Sequence, residues 1–211
     1  LLAMESAQFI QALRQDGVCV PSEAATQWAR HAALVREWNA VASLVSLGDA
    51  AQLDTVHLPD ALSLAGILVR LGLEKGPLLD IGTGGGYPAI PIKIALPALS
   101  VTLVERSVKK VGFLRKVVAA LGLQGVEIIH GEFPGVMGDK AAAVVTARAV
   151  EAPSKVQRAL AGWMPVGGVF LCQSGRPAGF GEDMFHVEHW EDDWTAAGMR
   201  RGELYIVRRV R

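Results

Sequence analysis

The apolar residues of the first 75 positions recur at helical spacing. Ala24, Trp28, Val35, Trp38 and Ala42 follow one another at steps of 4, 7, 3 and 4, which places them on one stripe of a helix. We interpret the two tryptophans as core residues, because large apolar side chains usually pack inside a protein. The pattern predicts a helical cap over residues 1–75, with helices at 4–16, from Pro21-Ser22 to 42, at 50–56 and at 59–73.

From residue 77 onward, short apolar runs alternate with amphipathic stretches. This alternation of strands and helices is typical of a parallel sheet covered on both faces, with its strand ends and its site along one edge. Two strands near the end of the chain lie close enough in sequence to form an antiparallel pair. The predicted domain is 76–211, with strands at 77–82, 100–105, 126–130, 142–147, 167–172, 184–189 and 203–210, and helices at 88–96, 107–121 and 152–163.

Residues 78–88 combine a strand, a glycine-rich turn and the start of a helix. The glycines permit a tight turn and a close approach of the backbone to a ligand, and the helix start presents free N–H groups. The stretch lacks the Gly-Lys-Ser/Thr of a P-loop, and Tyr87 stands where the dinucleotide pattern needs its third glycine. Glycine at every second position from Gly82 to Gly86, with Asp80 ahead of them, is instead the form found in methyltransferases that use S-adenosylmethionine (SAM). An acid before the loop would repel a pyrophosphate, whereas SAM carries an ammonium and a sulfonium.

Three side chains at predicted strand ends are candidates for contacts to such a cofactor. Glu105 ends the second strand, where a carboxylate can accept hydrogen bonds from both ribose hydroxyls; the alternative is an ordinary solvated acid. Phe133 follows the third strand, where an adenine ring would lie, and core packing is its alternative role. Arg148 follows the fourth strand and could bind the cofactor carboxylate or a substrate phosphate, unless it forms only a structural ion pair.

Composition restricts the classes of function. The 211 residues have a net charge of zero, so no global basic field indicates a nucleic-acid partner, and any RNA contact must depend on local patches. Cys19 and Cys172 form no disulfide framework, which fits a reducing cytoplasm. His186 and His189 have no third ligand in sequence, so no metal site is expected. No apolar run reaches the roughly 20 residues of a membrane span, and the first residues lack the basic segment of a signal peptide.

The residues after the predicted fourth strand narrow the reaction. Methylation of an exocyclic amine of a base usually needs Asp/Asn-Pro-Pro-aromatic there, whereas residues 146–149 are Thr-Ala-Arg-Ala. Methylation of a pyrimidine C5 needs a nucleophilic cysteine, but Cys19 lies in the predicted cap and Cys172 lies inside a predicted strand. The remaining acceptor is one that is already nucleophilic, such as guanine N7. Its lone pair attacks the methyl group directly and loses no proton, so alignment suffices.

These motifs resemble the bacterial ribosomal RNA small-subunit methyltransferase G family, also called glucose-inhibited division protein B. Residues 80–91 read Asp-Ile-Gly-Thr-Gly-Gly-Gly-Tyr-Pro-Ala-Ile-Pro, close to the family pattern D-[IV]-G-T-G-x-G-[FL]-P-G-I-P. The resemblance implies an α/β, Rossmann-like SAM-dependent methyltransferase fold with a mostly parallel seven-stranded sheet and an N-terminal helical cap. Further similar stretches are 101–105, 110–114, 146–149 and 167–171, with Trp38-Asn39 and His57-x-x-Asp60 in the cap.

The chain departs from the family pattern at three places that face the substrate. Ser43-Leu44-Val45 stands where the family usually has Asn-Leu-Thr, Glu132 replaces an arginine, and Ser174 replaces a lysine. The resemblance assigns SAM contacts to Gly82, Tyr87, Phe133, Pro134 and Arg148. The complete set of residues predicted to bind the cofactor is Asp80, Gly82, Thr83, Gly84, Gly86, Tyr87, Glu105, Glu132, Phe133, Pro134 and Arg148, and Arg148 is also the predicted catalytic residue.

The predicted function is SAM-dependent methylation of guanine N7 in 16S ribosomal RNA. The resemblance implies small-subunit rRNA, or the assembling small subunit, as the partner of a cytoplasmic protein, and we expect a monomer without a membrane contact. Two alternatives stay open: a methyltransferase of the same fold with another acceptor, and a SAM-binding or ribosome-associated protein without catalysis. Methyl transfer to another acceptor would identify the first alternative, and SAM binding without transfer would identify the second.

Overall fold

Helices occupy the part of the chain before the sheet, and they confirm the predicted helical pattern. The computed structural model describes residues 2–148, 152–173, 175–200 and 202–211. The predicted helix at 50–56 is instead the end of a short α-helix followed by a turn of π-helix. The helices are α1 (Leu2–Gln15), α2 (Ala24–Ala42), α3 (Leu47–Ala51) and α4 (Leu58–Arg70), and the π-helical turn is Leu53–His57.

The rest of the described chain forms a seven-stranded sheet with helices between its strands, in the strand order β3-β2-β1-β4-β5-β7-β6. Strands β1 to β5 pair in parallel, whereas β7 pairs antiparallel with both β5 and β6. This confirms the predicted fold class and the antiparallel pair at the end of the chain. The elements are β1 (Pro77–Ile81), α5 (Ala89–Ala95), β2 (Ser100–Glu105), α6 (Val108–Ala120), β3 (Val126–His130), β4 (Val144–Ala147), α7 (Pro153–Trp163), β5 (Val169–Cys172), β6 (Phe185–His189), α8 (Asp193–Ala196) and β7 (Tyr205–Arg209).

The order of the strands locates the ligand-binding edge. The chain runs from β1 outward to β2 and β3 on one side, and then returns to place β4 on the other side of β1. At such a switch point the loops after β1 and β4 diverge, and a crevice forms at the carboxyl ends of the strands. The glycine-rich turn after β1 therefore lies at the mouth of this crevice.

Helix α5 is buried on every side, because it lies between the sheet and helix α4 of the cap. Its residues 89–95 read Ala-Ile-Pro-Ile-Lys-Ile-Ala, and the apolar ones need no polar face in this position. The exception, Lys93, donates hydrogen bonds from Nζ to the carbonyls of Pro97 (2.7 Å) and Leu99 (2.6 Å). The ammonium is thereby satisfied just beyond the C-terminus of the helix, where the helix dipole favours a cation.

The tryptophan stripe of α2 packs the cap against the sheet domain. Trp28 is 1% exposed and donates from Nε1 to the carbonyl of Pro91 at 3.2 Å, which confirms its predicted place in the core. Trp38 is half-buried: its ring centroid lies 6.2 Å from that of Phe113, and Nζ of Lys116 lies 5.0 Å from it on the outer side. The second tryptophan therefore covers the junction between α2 and α6.

The short helix α8, which the sequence pattern did not predict, ties the end of the chain to the cap. Trp194 donates from Nε1 to Oδ2 of Asp16 at 2.8 Å, and its ring stacks on Phe9 with centroids 6.2 Å apart. Arg70 of α4 binds Asp16 as well. The cap thus contacts residues from both ends of the chain, and the predicted division at residue 75 stays a prediction.

Candidate active site

The turn between β1 and α5 has a backbone that requires glycine at alternate positions. Gly82, Gly84 and Gly86 have φ angles of 68°, 55° and 87°, in the left-handed region that side chains disfavour. The turn is closed by Gly86 N–H, which donates to the carbonyl of Thr83 at 2.8 Å. A Cβ on Gly86 would lie 2.6 Å from Cγ1 of Ile90, so the helix start also excludes a side chain there.

Glu105 holds the cofactor side of the glycine turn. Its Oε2 accepts a hydrogen bond from Gly84 N–H at 3.1 Å, and its Oε1 accepts one from Ser107 N–H at 2.9 Å. The residue is 5% exposed and lies at the end of β2, as predicted. A carboxylate has about four acceptor sites, so these two bonds leave capacity for the hydroxyls of a ribose. That ribose contact stays a prediction.

A cavity of about 250 Å³ opens next to Glu105, at the carboxyl ends of β1, β2 and β3. Its volume is a little below the roughly 300 Å³ at which pockets for whole drug-sized ligands begin, and is sufficient for part of a cofactor. The cavity brings together five of the predicted cofactor residues: Gly82, Glu105, Glu132, Phe133 and Pro134.

Phe133 combines the two roles that the sequence left open. Its side chain lines the cavity, but it is 7% exposed and its ring meets Trp163 edge-on, with centroids 5.3 Å apart. The cavity also has a wall that the sequence analysis missed, formed by the first turns of α7, including Val156 and Ala159. The position of α7 directly after β4 was the available signal, because a crossover helix starts at the edge where its strand ends.

Glu132 is paired with a lysine at the rim of the cavity. Nζ of Lys155 donates to its Oε1 at 2.8 Å, and this hydrogen bond, with the charge of the lysine, lowers the pKa of Glu132 below its ordinary value. Both side chains are mostly exposed. The position where the family usually has an arginine therefore keeps a neighbouring cation, supplied here by α7, and the family resemblance did not indicate this.

Asp80 lies beneath the glycine turn, with no exposed surface. Its Oδ1 accepts a hydrogen bond from Oγ1 of Thr146 at 2.7 Å, whereas its Oδ2 is buried and has no hydrogen-bond partner among the described residues. Burial raises the pKa of Asp80 to about 7, against the opposing effects of the Thr83 and Thr146 hydroxyls and the Arg148 charge. Its carboxyl group is thus partly protonated near neutral pH.

Arg148, at the end of β4, contacts the cap. Its Nη2 binds Nδ1 of His57, and its Nη1 lies 3.8 Å from Oδ2 of Asp60, too far for a hydrogen bond. Nε2 of His57 lies 3.1 Å from Oδ1 of Asp49, so a neutral imidazole with its proton on Nε2 satisfies both neighbours. Burial and the charge of Arg148 lower the pKa of His57, consistent with that neutral form. Nη1 of Arg148 is buried and makes no hydrogen bond within the described residues.

Tyr87 is directed toward the cap. Its ring stacks on His31 with centroids 4.7 Å apart, and it meets His57 at 6.0 Å. Burial raises the pKa of Tyr87, so the phenol stays neutral. The predicted contact of Tyr87 with the cofactor stays a prediction.

Two further predicted features lie at the edges of this picture. Ser174, where the family lysine is missing, lies outside the described residues. Its neighbour Gln173 donates from Nε2 to the carbonyl of Asp60 at 2.9 Å, which places the end of β5 beside the cap. Within the described ranges there is no cluster of three or more His, Cys, Asp or Glu residues able to hold a metal ion. None of the helices described here is long and apolar enough to cross a membrane.

Comparisons with known proteins agree on both sequence and fold. Residues 24–178 match the family model described as rRNA small subunit methyltransferase G. A protein of that name from Leuconostoc mesenteroides is 32% identical over 179 residues, covering 83% of this chain and 75% of the relative. A protein of the same name from Limosilactobacillus reuteri is 33% identical over 180 residues, with the same coverage.

Solved structures with lower identity share the fold. A variant of MtNAS in complex with S-adenosylmethionine superposes with a TM-score of 0.60 at 18% identity, over 88% of this chain and 73% of the other. A 16S rRNA N2 methyltransferase of T. thermophilus in complex with AdoMet and guanosine has a TM-score of 0.52 at 16% identity, over 72% of this chain and 43% of the other. These two likenesses concern the fold alone.

Proposed function

The chain belongs to the rRNA small subunit methyltransferase G family, and we propose that it transfers the methyl group of SAM to N7 of a guanine in 16S rRNA. The observation that carries this proposal is the placement of Glu105. Its carboxylate lies between the glycine turn and a cavity at the switch point of the sheet. Adenosine cofactors bind at that place in doubly wound sheets, with an acid on the ribose.

The residues present fit the two ends of SAM. On the adenosine side, Glu105 retains acceptor capacity next to a cavity that Phe133 lines. On the amino-acid side, Oδ2 of Asp80 and Nη1 of Arg148 are both buried without a hydrogen bond in the described part of the chain. Buried polar groups of this kind are costly unless they find a partner. An ammonium would suit Asp80 and a carboxylate would suit Arg148, and SAM carries both groups.

The chemistry asks little of the protein beyond alignment. When bound, SAM supplies an electrophilic methyl group on its sulfonium. N7 of guanine has a lone pair and no proton, so no side chain has to remove one. The carboxyl of Asp80, whose pKa is about 7, and the guanidinium of Arg148 would hold the reactants in position at the ends of β1 and β4.

Local positive charge on the rim of the cavity supports an RNA substrate. Arg106 and Lys110 lie on one side of the cavity, after β2, and Lys155 lies on the other side, on α7. Glu132 neutralises part of this charge through Lys155. Lysine and arginine contacts to phosphates supply much of the affinity for nucleic acids, so this rim is where the neutral chain concentrates cations next to its site.

The biological setting follows from the proposed substrate. Small-subunit rRNA, free or in an assembling particle, places the enzyme in the bacterial cytoplasm. We propose that it works there as a monomer, which sedimentation of the purified chain would test by its molar mass.

The decisive experiment is labelling with tritiated SAM. Deproteinised 16S rRNA and assembled small subunits serve as parallel substrates, followed by nucleoside analysis, and the variant Asp80→Ala serves as the site control. Label in 7-methylguanosine that disappears in Asp80→Ala is the expected result. Label in another nucleoside would overturn the N7 assignment. SAM binding without any labelling would show a protein that has lost catalysis.

A further inference from the structure

Helix α2 of the cap touches the glycine turn through His31, a residue that the family pattern did not single out. Nε2 of His31 lies 2.8 Å from the carbonyl oxygen of Gly85, and the imidazole stacks on Tyr87 at 4.7 Å. The side chain is fully buried, with relative exposure of 0%. A buried histidine in contact with the cofactor turn has a use that the chemistry above does not assign.

The protonation of His31 follows from its surroundings. A backbone carbonyl only accepts hydrogen bonds, so Nε2 carries the proton and donates it to Gly85. Burial lowers the pKa of His31 to about 4, and the bond to Gly85 opposes this only in part. His31 is therefore a neutral donor at physiological pH, with a fixed tautomer.

The turn is held from two opposite sides by side chains. On the cavity side Glu105 accepts from Gly84 N–H, and on the cap side His31 donates to the carbonyl of Gly85. These bonds orient two peptide groups of the turn, which has no side chains of its own between Thr83 and Tyr87. Glycine has more conformational freedom than any other residue, so such a turn keeps one shape only if its surroundings impose it.

The contacts of His31 continue toward the amino-acid side of the site. Tyr87 lies between His31 and His57, and His57 in turn binds Arg148. A Cβ on Gly86 would lie 3.3 Å from Nε2 of His31, so the imidazole packs directly on the turn. One row of side chains thus connects α2 with the arginine at the end of β4.

We propose that His31 is a positioning residue for the cofactor: its Nε2–H bond to Gly85 and its stack on Tyr87 hold the glycine turn in the shape that binds SAM. This inference rests on the proposed SAM site and makes the cap part of that site. His31 touches neither the cofactor nor the reacting atoms in this account, and acts through the turn and through Tyr87.

The test compares variants of His31 that differ in reach. Gln can place its amide N–H near the position of Nε2, whereas Asn cannot reach Gly85 and Phe keeps only the stack. The matched control is Gln27→Ala on the same helix, because Gln27 donates from Nε2 to the carbonyl of Leu121 at 3.1 Å, away from the turn. Calorimetric titration with S-adenosylhomocysteine, below the unfolding temperature of each variant, measures the affinity.

We expect Kd to rise about tenfold in His31→Asn and His31→Phe, which corresponds to roughly 1.4 kcal/mol. His31→Gln should rescue binding to within a factor of about two to three, the usual spread of single contacts. Gln27→Ala should lower the melting temperature and leave Kd unchanged. In methylation assays KM for SAM should rise in His31→Asn, with KM for rRNA unchanged.

Three outcomes would overturn the inference. These are unchanged Kd in a folded His31→Asn, equal weakening in His31→Gln and His31→Asn, and the same weakening in Gln27→Ala, which would indicate a general loosening of the cap. Because Asn and Gln are matched in polarity, the comparison holds even if His31→Phe does not fold. If the wild-type chain itself bound no SAM or S-adenosylhomocysteine, the proposed function would fail before the role of His31 arose.

Discussion

The two sides of the glycine turn differ in how completely their polar groups are satisfied. On the adenosine side, both oxygens of Glu105 accept backbone hydrogen bonds and Phe133 is packed on Trp163. On the cap side, Oδ2 of Asp80 and Nη1 of Arg148 are buried without a hydrogen bond among the described residues. The first side resembles a finished core, and the second resembles a site built for a charged ligand.

The difference has an energetic meaning. A buried polar group without a partner costs about 1–3 kcal/mol, whereas a satisfied one is close to neutral. The adenosine side is therefore stable by itself, while the cap side carries a cost that a zwitterionic amino-acid group would relieve. Substitutions on the two sides should consequently affect stability and function in opposite proportions.

Arg148 should give the largest functional effect. We expect Arg148→Ala to lower the rate of methyl transfer by a factor of about 100 or more, because misplaced reactants lose that much rate. The loss should exceed any change in stability, since Nη1 makes no hydrogen bond in the described part of the chain. Single-turnover methylation measures the rate, and Arg14→Ala on the exposed face of α1 is the control. Normal methylation by Arg148→Ala would reduce Arg148 to a structural partner of His57 and Asp60.

Asp80→Asn should separate stability from binding. The pKa of Asp80 is raised from 3.8 to about 7, so its contribution to stability is full below about pH 3.8 and is lost as the pH rises through 7. Because Asn keeps the acceptor for Thr146 and never ionises, we expect it to stabilise the SAM-free protein at pH 8 by about 2–4 kcal/mol.

The same substitution should weaken SAM binding, since the ammonium loses its counterion. Urea unfolding at pH 5 and pH 8 measures the first effect, and calorimetry measures the second. A variant that is no more stable than wild type at pH 8 would show that Asp80 is paired in solution.

Glu105→Ala should act on the satisfied side and affect both properties. Loss of a charge-assisted hydrogen bond to the ribose should weaken SAM binding by roughly 1.5–3 kcal/mol. The fold should also lose stability, because Gly84 and Ser107 lose the acceptor that orders the turn. Calorimetry with SAM and thermal unfolding report the two effects, and unchanged affinity would remove Glu105 from the site.

Glu132 should give the smallest effect, confined to RNA binding. Glu132→Arg should remove the partner of Lys155 and add a cation at the rim of the cavity. We expect a steeper dependence of rRNA affinity on salt, by about one unit of log–log slope for each additional phosphate that the protein neutralises. Glu132→Gln is the control that releases Lys155 without adding a cation. Equal slopes in all three proteins would place the RNA away from this rim.

Much of the fold follows from local patterns. The predicted strands and helices match the observed ones to within a few residues because periodicities of 2 and 3.6 mark which faces are buried. The position of β7 between β5 and β6 was not predicted, and neither was α8. Pairing order and a four-residue helix leave almost no trace in a periodic pattern, because both depend on where distant segments pack.

The sequence by itself determined the parts of the site that are local in the chain. Alternate glycines are demanded by the positive φ angles of one turn, and an acid at the end of β2 is the neighbour of that turn through adjacent strands. The tertiary structure alone decided the contacts from the cap and from α7. His31 reaches Gly85 across 54 positions, and Arg148 reaches His57 across 91. Such pairs have no spacing rule, because their distances depend on how whole layers pack together.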